Sequence, residues 1–538
     1  GVIMRLPLLP VGAPQLSFAP EQDALPLLDA VIETSRSIRA PFFFPGHKMG
    51  LGAPLPLRQR LVSRRALRHD LPELPELDNL FAAEGAIHEA ERLAALAFGA
   101  GRSWLLVNGS TAGVLAAVLA CVRLWALRRA DAGGAPVVLM PRNAHKSAAH
   151  ALVLAGAHAG WLAPSYDARS GLSLGVPIDQ VEAGLQRYGS RVAAVLVVSP
   201  TYQGVLSDVG GIARLTRAAG VPLIVDEAHG GHLHFLCDTA PVAPGVGLAR
   251  PRSALSEGAD IVVQSTHKML GSLTQSAMLH ASALALSREP SLDSSLSLAL
   301  EQMTSSSPSY LLLGSLDAAR WQFASRHGGG RAALHRACEH AAALRSAVGR
   351  MANGPTVLQF DGGAGVYAMD PLRITLSVQD GFALDEALVG AGIYSELPEA
   401  LSITFALSAG TRARHVRRLV RKLNSPSVAK LNAGREAHTR ASALKAAAVA
   451  ASRSDSWSKS YCSPREAFFR GSRSVPAEKA IGQISAALVC PYPPGIPILI
   501  PGEEITAEAV SLLHDLRAAG CSITGCADNS MATFDVLE

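Results

Sequence analysis

Between residues 101 and about 285, short runs of buried-type apolar residues alternate with helical stretches. The runs are Trp104–Val107, Pro136–Met140, Val192–Val198, Pro222–Val225 and Ile261–Gln264. Helices are predicted over Ala112–Arg129, Ser147–Ala155, Ile178–Tyr188 and Ile212–Ala219. Strands alternating with helices imply βαβ units on a parallel sheet. The runs are continuously apolar rather than alternating, as strands buried on both faces are.

The flanks read differently. A helix is expected over Glu21–Ser35 and another from Gly85 to Phe98, with the irregular stretch FFFPGHKMG between them. Residues 290–350 read as mostly helical. Arg373–Val378, Leu384–Ala391 and Ser402–Ala406 read as strand, helix, strand, followed by a basic helix over Arg412–Lys422. That suits a smaller α+β domain. Residues 426–458 are rich in Ala, Ser, Lys and Arg and read as a linker or loose helix. A last module follows, with the Pro-dense CPYPPGIP turn and a strand at Pro497–Ile500. The expected units are an extension (1–35), a major α/β domain (36–350), a small α+β domain (351–425), a linker (426–458) and a C-terminal domain (459–538). No internal repeat is visible.

Composition narrows the function classes. With 49% apolar and 17% charged residues, the chain is not a disordered one. The formal charge of +5 is mild and scattered, which argues against a nucleic-acid partner. The apolar run Ala112–Val122 is too short for a bilayer, which needs ~20 residues, so no membrane partner is expected. Seven cysteines lack a zinc-type spacing and suit a reduced, intracellular, cytoplasmic protein. Residues 1–20 are apolar and Pro-rich; a targeting remnant there would make a plastid location the alternative.

Ligands of open α/β sheets bind beyond the carboxyl ends of the strands, so the residues after each run carry the chemistry. Asn108-Gly109-Ser110-Thr111-Ala112-Gly113 opens a helix and suits a phosphate cradle; the simpler alternative is an ordinary cap by Ser110 or Thr111. His145 ends the second run, where it could stack on a planar ring or be a plain loop histidine. Ser199–Gly204 is a turn with hydroxyls, or only a Pro/Gly turn. Asp226 ends a buried strand, where a carboxylate needs a positive partner. That partner is a metal (with His229 and His232), a substrate cation or a protonated ring nitrogen; a capping role is the structural alternative. Lys268 follows the fifth run beside Ser265 and His267. It is a desolvated nucleophilic amine or a snorkelling surface lysine. Together these residues call for one ligand bearing a phosphate, a flat ring, a basic ring nitrogen and an aldehyde. Pyridoxal 5′-phosphate has all four.

Ten stretches, in order over roughly 36–526, resemble the Orn/Lys/Arg decarboxylases of the bacterial type. They are FPGHKMG, HDLPELPELDNL, NGSTAG, RNAHKS, SPTYQGVLSD, VDEAHGGH, QSTHKML, TSSSPSYLLLGSLDAAR, SPREAFF and CPYPPGIPILIPGE. The compact length resembles members that lack an N-terminal wing domain.

The resemblance implies a fold type I, aspartate-aminotransferase-like enzyme that decarboxylates lysine or arginine, or ornithine. It implies a homodimer, or a multiple of dimers, with the active site at the interface. It implies Lys268 as Schiff-base lysine, Asp226 as partner of the pyridine nitrogen and His145 stacked on the ring. Ser110, Thr111, Ser265 and His267 would hold the phosphate, with Ala228 and His229 close to the ring. Ser305 or Ser306 would reach the phosphate of the neighbouring subunit, and Glu503 would face the distal cation of the substrate. The proton returned to Cα would come from Lys268, His229 or His267. An aminotransferase or a carbon–sulfur lyase shares the Asp and Lys. An aminotransferase would also need an arginine for the α-carboxylate, with Arg373 and Arg412 as candidates.

Overall fold

The structure, a computed structural model, describes residues 19–128, 134–167, 170–236, 248–352, 354–433, 460–492, 496–518, 521–528 and 530–538. Its centre is a seven-stranded sheet: β1 (Arg102–Leu106), β2 (Val137–Pro141), β3 (His158–Leu162), β4 (Val192–Val198), β5 (Leu223–Asp226), β6 (Ile261–Gln264) and β7 (Ala277–Ala281). The spatial order is β1-β7-β6-β5-β4-β2-β3. Strands β3, β2, β4, β5 and β6 run parallel; β7 and β1 close one edge antiparallel.

Period-two geometry sends successive side chains to opposite faces. Val138 and Met140 of β2 join one apolar layer, with the helices Gly109–Arg128, Lys146–Ala155 and Ser291–Met303. Val137 and Leu139 join the other, with Val181 of helix Ile178–Tyr188 and Ile212 of helix Val209–Ala218. Both faces are covered, which is why every parallel strand of the sheet interior reads as an unbroken apolar run. Gly113 sets one helix close to the sheet: a Cβ there would lie 2.7 Å from Val263 Cγ1 and 2.8 Å from Leu106 Cδ1.

Several expectations need correction. Strands β3 and β7 were not expected. HAGWL lies half-buried at a sheet edge, and AMLHA is too rich in Ala and His to announce a strand. The eleven-residue run Ala112–Val122 is part of a 20-residue helix, Gly109–Arg128, which by length and composition alone could span a bilayer. Its apolar residues instead pack on the sheet and the neighbouring helices. Residues 20–35, expected outside the major domain, pack into it. Helix Pro26–Ser37 buries Leu27 and Val31, and Asp317 Oδ2 accepts the Leu27 and Leu28 N–H groups at 3.1 and 3.2 Å. No strand forms at Pro497–Ile500; only an isolated bridge joins Leu499 to Val489. Of the 426–458 stretch, Pro426–Ala433 is helical, and the rest lies outside the described residues, as does nearly all of 1–20.

The small domain carries an antiparallel sheet of β8 (Thr356–Val357), β9 (Arg373–Ser377), β10 (Leu397–Pro398) and β11 (Ser402–Ala406), in the order β8-β9-β11-β10. Its helices are Gly381–Val389 and the basic Ala413–Leu423. The C-terminal module has its own core around Val489, Ile505, Leu513 and Phe534. It meets the major domain through helix Pro464–Phe469, whose Arg465 donates to Leu154 O at 2.9 Å.

Candidate active site

The carboxyl ends of β5 and β6 bring Asp226 and Lys268 to one place. Asp226 is the last residue of β5, and its Oδ1 accepts the Ala228 N–H at 3.1 Å. Lys268 lies on the short turn of helix Thr266–Met269 that follows β6. Its Nζ is 3.0 Å from His229 Nε2 and 5.7 Å from the Tyr202 ring centroid. The residue keeps an exposed surface, yet packing around the amine strips water from it. That burial holds the ammonium pKa below the usual lysine value, against the opposing pull of Asp226 and Glu396.

The expected phosphate holders also meet. Ser265 Oγ donates to Ser110 Oγ at 2.7 Å. Ser110 is the second residue of helix Gly109–Arg128, so both hydroxyls stand at the positive end of a 20-residue helix. Thr111 follows with an exposed side chain, and the buried Thr266 Oγ1 has no hydrogen-bond partner among the described residues. His267 Nδ1 donates to Ser276 O at 2.8 Å, leaving Nε2 as its other nitrogen.

His145 caps helix Lys146–Ala155. Its Nδ1 accepts the Ser147 N–H at 3.3 Å and lies 2.9 Å from Ser147 Oγ, which places the ring proton on Nε2. Burial lowers its pKa, opposed by Asp226. Half-buried and neutral, the ring is suited to stacking.

His229 is buried and packs at 4.3 Å between ring centroids on Tyr202. Burial, then the neighbouring Lys268 and Arg373, pull its pKa well below the histidine norm. Arg373, at the start of β9, donates from Nη2 to His229 Nδ1 at 3.1 Å. Tyr202 and Glu396 are site residues the sequence reading passed over. Tyr202 sits inside the SPTYQGVLSD stretch, but only the fold turns its ring toward His229.

The structure separates other candidates from the site. Glu503 does not have a carboxylate available to a substrate. Arg142 donates to it twice, at 2.6 and 2.8 Å, and Trp161 Nε1 and Ile500 N donate at 3.1 Å each. The pair is buried and ties the C-terminal module to the loop that carries His145. Ser305 and Ser306 are exposed on the turn between helices Ser291–Met303 and Tyr310–Ala324. Arg412 is exposed at the start of the basic helix. The metal alternative loses its third ligand, because His232 Nε2 is 3.0 Å from Asp370 Oδ1. Among the described residues, no three His, Cys, Asp or Glu side chains are grouped to hold a metal.

Two family models match the chain: the Orn/Lys/Arg decarboxylase major domain over residues 25–378, and the C-terminal domain of the same family over 453–525. The chain belongs to the Orn/Lys/Arg decarboxylase family. It is an amino-acid decarboxylase acting on a basic substrate. An arginine decarboxylase of Bacillus anthracis is 31% identical over 95% of this chain and 97% of its own length. A lysine decarboxylase of Pseudomonas aeruginosa is 25% identical over 92% of this chain and 76% of its own. Among solved structures, the constitutive lysine decarboxylase of Escherichia coli superposes with a TM-score of 0.76 at 22% identity, over 96% of this chain and 82% of that one. That likeness carries the fold. The relatives compared are bacterial, which gives the plastid alternative no support.

Proposed function

We propose that the chain is a pyridoxal 5′-phosphate-dependent arginine decarboxylase that works as a homodimer. The single observation that carries the reading is the contact of Lys268 Nζ with His229 Nε2 at 3.0 Å, within the field of Asp226. It is the arrangement a reactive amine needs: partly desolvated, hydrogen-bonded and next to an anion. The donor set fits the cofactor. The Ser110–Ser265 hydroxyl pair at a helix N-terminus suits a phosphate, the Asp226 carboxylate suits a protonated ring nitrogen, and the neutral His145 ring suits a stacking face.

When bound, the cofactor would supply an electron sink for the pair left on Cα as CO2 departs. The chain does the rest. Asp226 keeps the ring nitrogen charged, Lys268 holds the aldehyde and later carries a proton, and the helix N-terminus anchors the phosphate. Decarboxylation needs the carboxylate loosely held. Arg373 already gives Nη2 to His229, and Arg412 is exposed on the basic helix, so neither is set as the clamp an aminotransferase requires. With Glu503 spent on Arg142, the distal cation of the substrate needs another acid. Glu396 is exposed, and its charge acts on Lys268.

Arginine is preferred because the arginine decarboxylases are 31% identical over nearly both full lengths, against 25% for the lysine enzymes over a smaller share of longer chains. Self-association is supported by apolar side chains on the arm. Phe42, Phe44 and Leu61 are 95%, 83% and 81% exposed, more than a stable monomer surface tolerates in one segment. Ser305 and Ser306 are exposed on their turn and would be open to a second copy.

The test is a panel of arginine, lysine and ornithine with CO2 and the amine product measured, alongside the visible spectrum of the purified chain. Agmatine with equimolar CO2 from arginine is expected. Keto-acid formation, or a colourless protein that stays so after the vitamer is added, would sink the reading.

A further inference from the structure

His229 is held by three neighbours, and their chemistry fixes where its proton lies. A guanidinium has five N–H donors and no acceptor. The 3.1 Å contact of Arg373 Nη2 with His229 Nδ1 therefore requires a lone pair on Nδ1. A neutral imidazole with a lone pair at Nδ1 carries its proton at Nε2. That N–H faces Lys268 Nζ at 3.0 Å, and an N–H can only donate, so the amine accepts through its own lone pair.

The fold takes care to place Arg373. Gly204 has φ +89°, and a Cβ there would come within 2.5 Å of Arg373 Cβ, so a glycine leaves room for the arginine stem. Arg345 donates to the carbonyls of Pro371 and Arg373 at 2.9 and 2.7 Å, gripping the backbone on either side.

We infer that Arg373 is a positioning residue: by donating to Nδ1 it locks His229 as the Nε2–H tautomer, which in turn hydrogen-bonds the free-base form of Lys268. The inference rests on Lys268 being the lysine of the proposed site. It also assigns the proton traffic. A second proton on His229 would point at the guanidinium, so His229 is a fixed donor and not the acid that returns a proton to Cα. Lys268, or His267 through Nε2, keeps that role. The charged and titratable groups acting on the amine are Asp226 from β5, Glu396 and Arg373 from the small domain, His229, and His145 from the turn after β2. The two acids favour the ammonium; Arg373 and His229 favour the amine.

The experiment uses the full chain with ¹⁵N-labelled histidine, before and after cofactor loading. The His229 resonances are assigned by comparison with His229→Gln. In parallel, Lys268 is labelled by formaldehyde with cyanoborohydride across pH, and the modified peptide is quantified by mass spectrometry. The wild type is expected to show Nε2–H and a bare Nδ1 throughout about pH 5 to 8. Arg373→Met should release the lock, giving mixed tautomers or a titrating ring. It should also slow Lys268 labelling about tenfold at fixed pH, one pKa unit upward. Arg373→Lys, which keeps charge and donor, should restore both. Should Arg373→Met not fold, Arg373→Leu, which likewise has no donor, gives the same readouts.

An Nδ1–H or doubly protonated His229 in the wild type overturns the inference. So does an unchanged tautomer in the variant with only KM for substrate altered, which would make Arg373 a carboxylate clamp. The tautomer is read on the cofactor-free chain, so it stands or falls separately from the cofactor reading.

Discussion

Arg142 and Glu503 lie 361 positions apart and meet as a buried bidentate pair at 2.6 and 2.8 Å. Trp161 closes it twice over, with its ring 4.5 Å from the guanidinium carbon and its Nε1 donating to the carboxylate. Arg142 also donates to Ile498 O at 2.6 Å. Three residues after Arg142 comes His145, so the C-terminal module braces the loop that presents this histidine. Removing one partner of such a pair leaves a buried charge uncompensated, at a cost of about 3–5 kcal/mol. Glu503→Gln should therefore lower the urea midpoint and weaken cofactor uptake. Replacing both residues by apolar ones of similar size should recover much of the stability. Denaturation and cofactor titration of the three variants check this.

The sequence made the sheet interior legible because β4, β5 and β6 are nearly unbroken apolar runs, with Asp226 ending β5 and Lys268 following β6. Asp226 and Lys268 stand out because a carboxylate or an amine at a buried strand end has to be explained. What stayed hidden depends on contacts between distant segments. Arg373 reaches His229 across 144 positions, through a small domain that folds back over the strand ends. The family resemblance assigns Glu503 to the distal cation of the substrate, and a carboxylate in a turn gives no sign of a partner 361 positions earlier. β7 was missed for a local reason: its Ala and His residues are buried by the neighbouring strands and not by their own β preference.

On the proposed function, Lys268→Ala removes the amine that would both hold the cofactor aldehyde and move a proton. The variant should lose the visible band. Its turnover should fall by at least the ~10²–10⁴-fold that a placed proton-transfer group supplies. Absorbance and CO2 release measured on one sample decide it. A retained band would reassign the covalent role.

Glu91 gives a pH signature independent of catalysis. It is buried beneath β1, where its Oε1 accepts the Leu105 N–H at 3.0 Å, and burial raises its pKa to about 8. In the unfolded chain it titrates near ~4.3. Between those values the folded state binds more protons than the unfolded one. Its stabilising contribution is thus full below about pH 4.3 and is lost as pH rises towards 8. Glu227, also raised to about 8 by burial, acts in the same direction. Glu91→Gln should flatten, without abolishing, the fall in urea midpoint between about pH 5 and 8. An unchanged slope would mean that Glu91 is ionised in the fold.

Glu396 is the acid that replaces Glu503 as the expected anchor of the distal substrate cation. It is exposed, lies just before β10 with its N–H bonded to Thr404 O at 3.0 Å, and its charge raises the pKa of Lys268. A charge-assisted contact to a guanidinium or ammonium is worth about 1.5–3 kcal/mol. Glu396→Gln should then raise KM for the basic substrate by tenfold or somewhat more, since about 1.4 kcal/mol is one decade. Because the lost interaction holds substrate and transition state alike, kcat should change little. The removed charge should also lower the pKa of Lys268. Steady-state kinetics across pH separates the two effects: a KM that stays put while kcat falls would place Glu396 with the proton chemistry, and the distal cation would need a carboxylate from the second subunit.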